Sequence, residues 1–262
     1  MGYGYSSGGL ATDPAVELED ADLTVESVVL GYVRSLDLWG RSGKIDVIAP
    51  YSWLDGSARL DGMQLQRTVD GFNDPSVRLS VNLWGAPALS PREFAGYQQD
   101  LVVGASMKVT APLGQYDRER IVNLGTNRWS IKPEVGVSKR WGQWALDLAG
   151  AVVLFTDNDD FFNGHTLEQD PLYSLQTHLI HMFGRGIWAA VDATWYAGGR
   201  TQVDAVAKDD RKGNTRIGVT LALPINARQS IKLYAATGVH VRTGTDFDTG
   251  GVAWQYRWGA GH

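Results

Sequence analysis

The sequence predicts an all-β fold: a transmembrane, up-and-down antiparallel β-barrel of about twelve strands, with short periplasmic turns and long extracellular loops. Three observations carry this expectation. Apolar and polar residues alternate with period two along most of the chain, short and long connections alternate between the runs, and tryptophan collects at the ends of the runs.

The alternation is cleanest from Ile131 to Thr156, two arms joined by the tight KRWGQ turn. Ile131, Pro133, Val135 and Val137 alternate with Lys132, Glu134, Gly136 and Ser138; Trp144, Leu146, Leu148, Gly150, Val152 and Leu154 alternate with Ala145, Asp147, Ala149 and Ala151. Successive strand side chains point to opposite faces, so each arm carries one apolar face and one small, polar or charged face. In order, the strand-like runs are 2–8, 23–36, 44–53, 77–84, 99–111, 129–138, 144–155, 173–182, 188–196, 215–223, 230–243 and 252–258. Most approach the ~9 to 11 residues that a tilted strand needs to cross a bilayer. WGRSG, KRWGQ, FGRG and PINAR are tight turns, whereas 9–22, 54–76, 112–128, 156–171 and 197–214 are long. The connection 85–97 is longer than its short-side counterparts, and Ser90-Pro91-Arg92-Glu93 is a capping box with proline at the first helical position, predicting a helical turn or two near 91–97. Pro50 and Pro133 inside strands predict local bulges. Nine of the ten tryptophans (39, 53, 84, 129, 141, 144, 188, 195 and 258) lie near strand ends, as two interfacial girdles require, and Trp254 lies within a strand.

Composition narrows the class. A net charge of −5 and a pI near 5.5 argue against nucleic-acid binding, which relies on basic patches. The absence of cysteine excludes thiolate metal sites and cysteine nucleophiles. No window holds the ~18 apolar residues of a membrane-crossing helix. The 262 residues are expected to form one barrel domain; MGYGYSSGG has no basic segment followed by an apolar one, which predicts a trimmed leader and a partial first strand.

Parity places Glu26, Arg34, Lys44, Asp46, Arg78, Asp100, Lys108, Lys132, Glu134, Asp147, His178, Asp192, Arg216, Lys232, His240, Arg242 and Arg257 on the face opposite Val25, Val47, Leu79, Val103, Val135, Leu148, Leu175, Val191, Val219, Val239 and Trp254. So many charges of both signs cannot fill a dry core, because burying unpaired ions is costly, but they can line a wet lumen. With twelve strands that lumen is narrower than a sixteen-stranded porin's. Alternatively the charges neutralise one another and plug it, or the 54–76 loop folds inward. Val28, Leu30, Ile48, Val102 and Ile180 could form an apolar track on the same face.

The acidic loop with Asp157, Asp159, Asp160, Glu168 and Asp170 has oxygens suited to calcium, yet it lacks the EF-hand pattern and reads as a solvated loop, so no metal or cofactor is expected. His181 faces lipid beside the FGRG turn, and no GxSxG elbow accompanies it. Enzymatic activity is not expected.

APLGQYD (111–117), NLGTNRWSIKPE (123–134), FTDNDDF (155–161), QDPLYS (169–174), YAGGRT (196–201) and AWQYRW (253–258), with PYSW (50–53) and GAPALS (85–90), resemble the outer-membrane family named for the meta-pathway of phenol degradation. The resemblance covers nearly the whole chain. It implies a barrel of about twelve strands in the Gram-negative outer membrane, encoded near aromatic-degradation genes and described as a transporter, and it supplies no catalytic residues. The function expected is a channel for passive diffusion of small molecules, aromatic or hydrophobic by the family's name, or otherwise a non-conducting structural or surface-interaction barrel. Its expected partners are the lipid bilayer, lipopolysaccharide and small solutes, and it is expected to be a monomer.

Overall fold

The computed structural model describes residues 1–9, 19–60, 63–89, 96–243 and 246–258. Among the described residues seventeen strands follow in order: β1 (Gly2–Gly9), β2 (Glu19–Leu38), β3 (Arg41–Leu60), β4 (Met63–Phe72), β5 (Ser76–Trp84), β6 (Leu101–Thr110), β7 (Ser130–Trp141), β8 (Trp144–Phe155), β9 (Asn158–Phe161), β10 (His165–Gln169), β11 (Leu172–Gly184), β12 (Ile187–Gly198), β13 (Thr201–Val203), β14 (Val206–Ala207), β15 (Lys212–Asn226), β16 (Gln229–His240) and β17 (Asp246–Tyr256). β1, β2, β3, β5, β6, β7, β8, β11, β12, β15, β16 and β17 pair antiparallel in that order, and β1 pairs with both β2 and β17. The twelve staves therefore close as a barrel, which is how backbone polar groups are satisfied in hydrocarbon, and β4, paired with β3 alone, is an edge outside that ring. Though short, β1 is paired on both sides along nearly its whole length.

Each strand-like run in the sequence became a stave, but β2 and β3 run well past the lengths expected. The 54–76 segment is not an inward-folding loop. It is the top of β3 followed by β4, which pairs with β3 from Leu60 to Tyr51 before β5 takes over at Ile48. Pro50 sits where the partner changes and Pro133 stays in register with Met107, so neither produces the expected bulge. A proline at a break in the ladder loses little, because its missing N–H has no partner to meet. Of the helical turn expected near 91–97, residues 91–95 lie outside the described residues; Gly96 is helical and Tyr97 is not.

The outer face of β2 and β3 changes character along its length. Tyr32 and Val47 are exposed lower down, whereas Thr24 and Asp55 occupy the same face higher up and Thr68 of β4 hydrogen-bonds Asp55 at 2.6 Å. The inner face inverts in step: Leu23 and Leu54 are buried with Val122, and Val25, Val69, Ile121 and Leu124 pack around them. This upper part, with β4, is a wing standing beyond the lipid. Two aromatic belts mark the bilayer edges: Trp84, Trp141, Trp144, Trp254 and Trp258 at the short-turn end, and Trp53, Trp129 and Trp195 at the other, all exposed. Trp188 departs from the pattern, lying inside the barrel opposite Met182 with the Lys232 ammonium 5.3 Å from its ring centroid.

The long loops are built structures. β9, β10, β13 and β14 form a separate four-stranded sheet around the buried Phe161 and Leu167. The segment read as an acidic solvated loop is a hairpin turning at Asn163-Gly164, with Asp160 paired to Arg118 at 3.5 Å. Among the described residues no acidic or histidine cluster is arranged to hold a metal.

Candidate transport lumen

Residues directly opposite on neighbouring strands share a face, so the register fixes the lumen lining from one stave to the next. Asp46, Arg78, Lys108 and Lys132 stand in one continuous row across β3, β5, β6 and β7. Asp147, His178 and Asp192 stand in a second row across β8, β11 and β12. Lys44, Glu134, Arg216 and Lys232 share the inward face with these rows. Between the two rims the inward face thus carries six cations (Lys44, Arg78, Lys108, Lys132, Arg216, Lys232) against four carboxylates (Asp46, Glu134, Asp147, Asp192). The lumen is net positive in a net negative chain, because the acidic excess lies elsewhere.

Local contacts divide these charges. Lys44 pairs with Asp46 at 3.6 Å and Lys132 with Glu134 at 3.0 Å. His178 Nδ1 and Asp192 Oδ1 are 2.5 Å apart, and Thr220 donates to the other Asp192 oxygen at 3.1 Å. Asp147 Oδ1 is buried without a hydrogen-bond partner. The Arg216 guanidinium lies 3.9 Å from the Phe247 ring centroid. Around Tyr234 the wall formed by β16, β17 and β1 is lined by small residues, and the ring lies across them: a Cβ on Gly251 would stand 2.4 Å from the Tyr234 hydroxyl, and one on Gly4 2.8 Å from it. Val33 faces inward opposite Asp46 and is 58% exposed.

Six of the residues expected to line the lumen lie elsewhere. Glu26 is opposite Tyr5 and Trp53, both outward, and accepts a hydrogen bond from Tyr3 at 2.8 Å at the outer belt. Arg34 is opposite Ile45, which neighbours the outward Leu79, at the short-turn end where a long side chain can reach the headgroups. Asp100 precedes β6 at the rim and ion-pairs with Lys139. A register shift beside Arg216 sets His240 opposite Thr215 and thus off the inward face. Arg242 lies beyond β16 and pairs with Asp209 at 3.6 Å, and Arg257 follows β17 at the short-turn rim, where its N–H reaches the Arg228 carbonyl. Val25 faces inward, not toward lipid. Of the apolar track, Val28 and Leu30 face out, opposite Tyr51 and Ala49, and only Ile48, Val102 and Ile180 keep the inward parity.

Sequence reasoning missed the strap across the mouth. Residues 112–128 run from the wing to the small sheet. At the wing, Asp74 accepts from Gly114 N at 2.9 Å, Thr126 N at 2.8 Å and Thr126 Oγ1 at 2.7 Å, Arg67 Nε donates to the Val122 carbonyl, and Gln115 N to the Phe72 carbonyl. At the sheet, Asn158 donates to Tyr116 at 2.9 Å and accepts from Asn127 at 2.8 Å. Gly114 and Gly125 let the two limbs of the strap meet, since a Cβ on Gly125 would stand 2.8 Å from Gly114. The sequence signal was the density of Gly, Asn, Asp and Thr in APLGQYD and NLGTNRW, a turn composition rather than a solvated loop's.

A closed twelve-stranded barrel with an apolar belted exterior and a charged interior defines an outer-membrane β-barrel. The chain belongs to the family described as "Putative MetA-pathway of phenol degradation", whose profile matches residues 4–256. Its fold is similar to that of an outer membrane channel from Pseudomonas putida F1, at 23% identity over 98% of this chain and 94% of that one, TM-score 0.78. It is also similar to the transport unit of the autotransporter AIDA-I from Escherichia coli (10% identity, 98% and 88% covered, TM-score 0.54) and to the NanC porin (11% identity, 98% of both chains, TM-score 0.51). No curated protein sequence matches the chain.

Proposed function

We propose that the barrel is a channel for passive diffusion of small amphipathic molecules of the aromatic class across the outer membrane. The observation that carries this reading is the inward face itself: ionised side chains of both signs occupy it in two rows that run from stave to stave, an arrangement that a dry core tolerates poorly and a hydrated passage accommodates. The solvent-open Val33 and Lys44 support it, as do the family's association with phenol degradation and the similarity to a protein described as an outer membrane channel. Transport rather than catalysis is the reading these support, and the barrel acts as a monomer in contact with phospholipid and lipopolysaccharide.

The test is single-channel conductance of the refolded protein in a planar bilayer, with Lys132→Ala and Asp147→Ala alongside. Discrete steps whose size or ion preference shifts in opposite directions in the two variants are expected. One observation favours a second reading, a barrel held shut: the strap pinned across the mouth at both ends. A folded protein that is silent in the bilayer would sink the first reading in favour of the second.

A further inference from the structure

The row Asp46–Arg78–Lys108–Lys132 places three cations directly opposite one another on adjacent strands. Like charges in that relation destabilise a sheet, so the arrangement opposes folding unless something offsets it. The two carboxylates nearby do not suffice. Asp46 is engaged by Lys44 and Glu134 by Lys132, and neither Arg78 nor Lys108 has an ion-pair partner among the described residues. Lys108 lies within electrostatic reach of Arg78, Lys132 and Glu134, so the group shares one potential. Beside it, opposite Asp46, the inward-facing Val33 is open to solvent.

Resting on the channel reading, we propose that Arg78 and Lys108 form an anion-binding subsite in the wall of the lumen, selecting small organic carboxylates. The guanidinium supplies a planar fork that matches a carboxylate, and the lysine supplies a point charge beside it. An anion bound between them removes the repulsion that the empty site carries. The net positive lumen raises the local concentration of such solutes before they reach the subsite. Neutral and cationic aromatics of equal size gain neither effect.

Benzoate, benzyl alcohol and benzylamine are matched probes. Calorimetric titration of the detergent-solubilised barrel is expected to show benzoate binding in the roughly millimolar range, with no comparable heat from the other two. Combining Arg78→Gln with Lys108→Gln is expected to weaken benzoate binding by about tenfold or more, while Arg78→Lys retains most of it. The double variant removes repulsion and is expected to fold at least as well as the parent, read as heat-modifiable gel mobility; if it does not, the two single variants give the same comparison. Equal binding of the three probes, or unchanged benzoate binding in the variants, overturns the subsite. Since binding is read without conductance, a silent bilayer refutes the channel and leaves the subsite to be decided by titration alone. In conducting channels, benzoate is expected to block current in the parent and not in the double variant.

Discussion

Replacing Asp74 with alanine tests whether the strap is a moving part. Its carboxylate accepts three hydrogen bonds, from Gly114 N, Thr126 N and Thr126 Oγ1. A bond to a charged group nets about 1.5–3 kcal/mol when shielded, but Asp74 is half-exposed and its bonds to Thr126 face solvent, so about 1 kcal/mol each is the appropriate figure. Together they hold the strap by about 3 kcal/mol, and at about 1.4 kcal/mol per factor of ten their loss raises the detached population roughly a hundredfold. Asp74→Asn keeps one acceptor oxygen and is expected to give about a tenfold rise. The assay is limited trypsin digestion of the protein in micelles, since Arg118 and Arg120 lie in the strap with exposed side chains and cleavage follows the open population. Cleavage there should accelerate in the order parent, Asn, Ala, while the barrel's gel mobility stays unchanged. Equal cleavage rates in all three would refute the reasoning, showing that the attachments through Tyr116, Arg67 and Gln115 hold the strap without Asp74.

Gly251→Ala is expected to expel Tyr234 from the lumen wall, because the new methyl would stand 2.4 Å from its ring and 2.5 Å from the Tyr3 carbonyl; the loss should be about 1–3 kcal/mol, read as a lower temperature of the gel-mobility transition. Acidification should loosen the small outer sheet before the barrel. Asp204 accepts from the Thr166 N–H at 2.9 Å and lies 2.5 Å from His165, and these contacts hold its carboxyl below the ordinary carboxylate value. A depressed carboxyl stabilises the fold fully above its unfolded value and loses that contribution as pH falls through the folded one, so amide-exchange protection of residues 158–207 should hold from neutral pH to about 4 and decline below it. Protection independent of pH down to about 2 would contradict this.

How far the sequence could be read depended on whether each strand met one environment or two. From β5 to β12 every stave has lipid on one side and lumen on the other, so alternation alone placed Arg78, Lys108, Lys132, Asp147, His178 and Asp192 on the face where the register puts them. β2 defeats that reasoning. Its outer face is apolar beside lipid and polar on the wing, its inner face the reverse, so Val25-Glu26 and Val28-Val29-Leu30 carry no usable period, and only the register against Tyr5 and Trp53 assigns Glu26. His240 failed for a smaller reason: Val239 is an extra residue in β16 that inverts everything after it, and nothing in GVHVR announces it. The outer sheet was legible in part. Asn163-Gly164 between DDFF and HTLEQ is a hairpin signal, but strands as short as β13 and β14 show no periodicity. Two of the segments that carried the family resemblance, APLGQYD and NLGTNRW, turn out to be the knots of the strap.

The wing gives the molecule reach. β2 and β3 each have 20 residues, of which a tilted crossing of the hydrocarbon uses ~10; the remainder, at ~3.3 Å per residue and a tilt near 40°, lifts the tip about 25 Å above the lipid. The hairpin turns its polar side to the outside and its oily side to the strap. A solute arriving from the medium would meet this hairpin before it reached the Leu23, Leu54 and Val122 contact at the barrel's mouth.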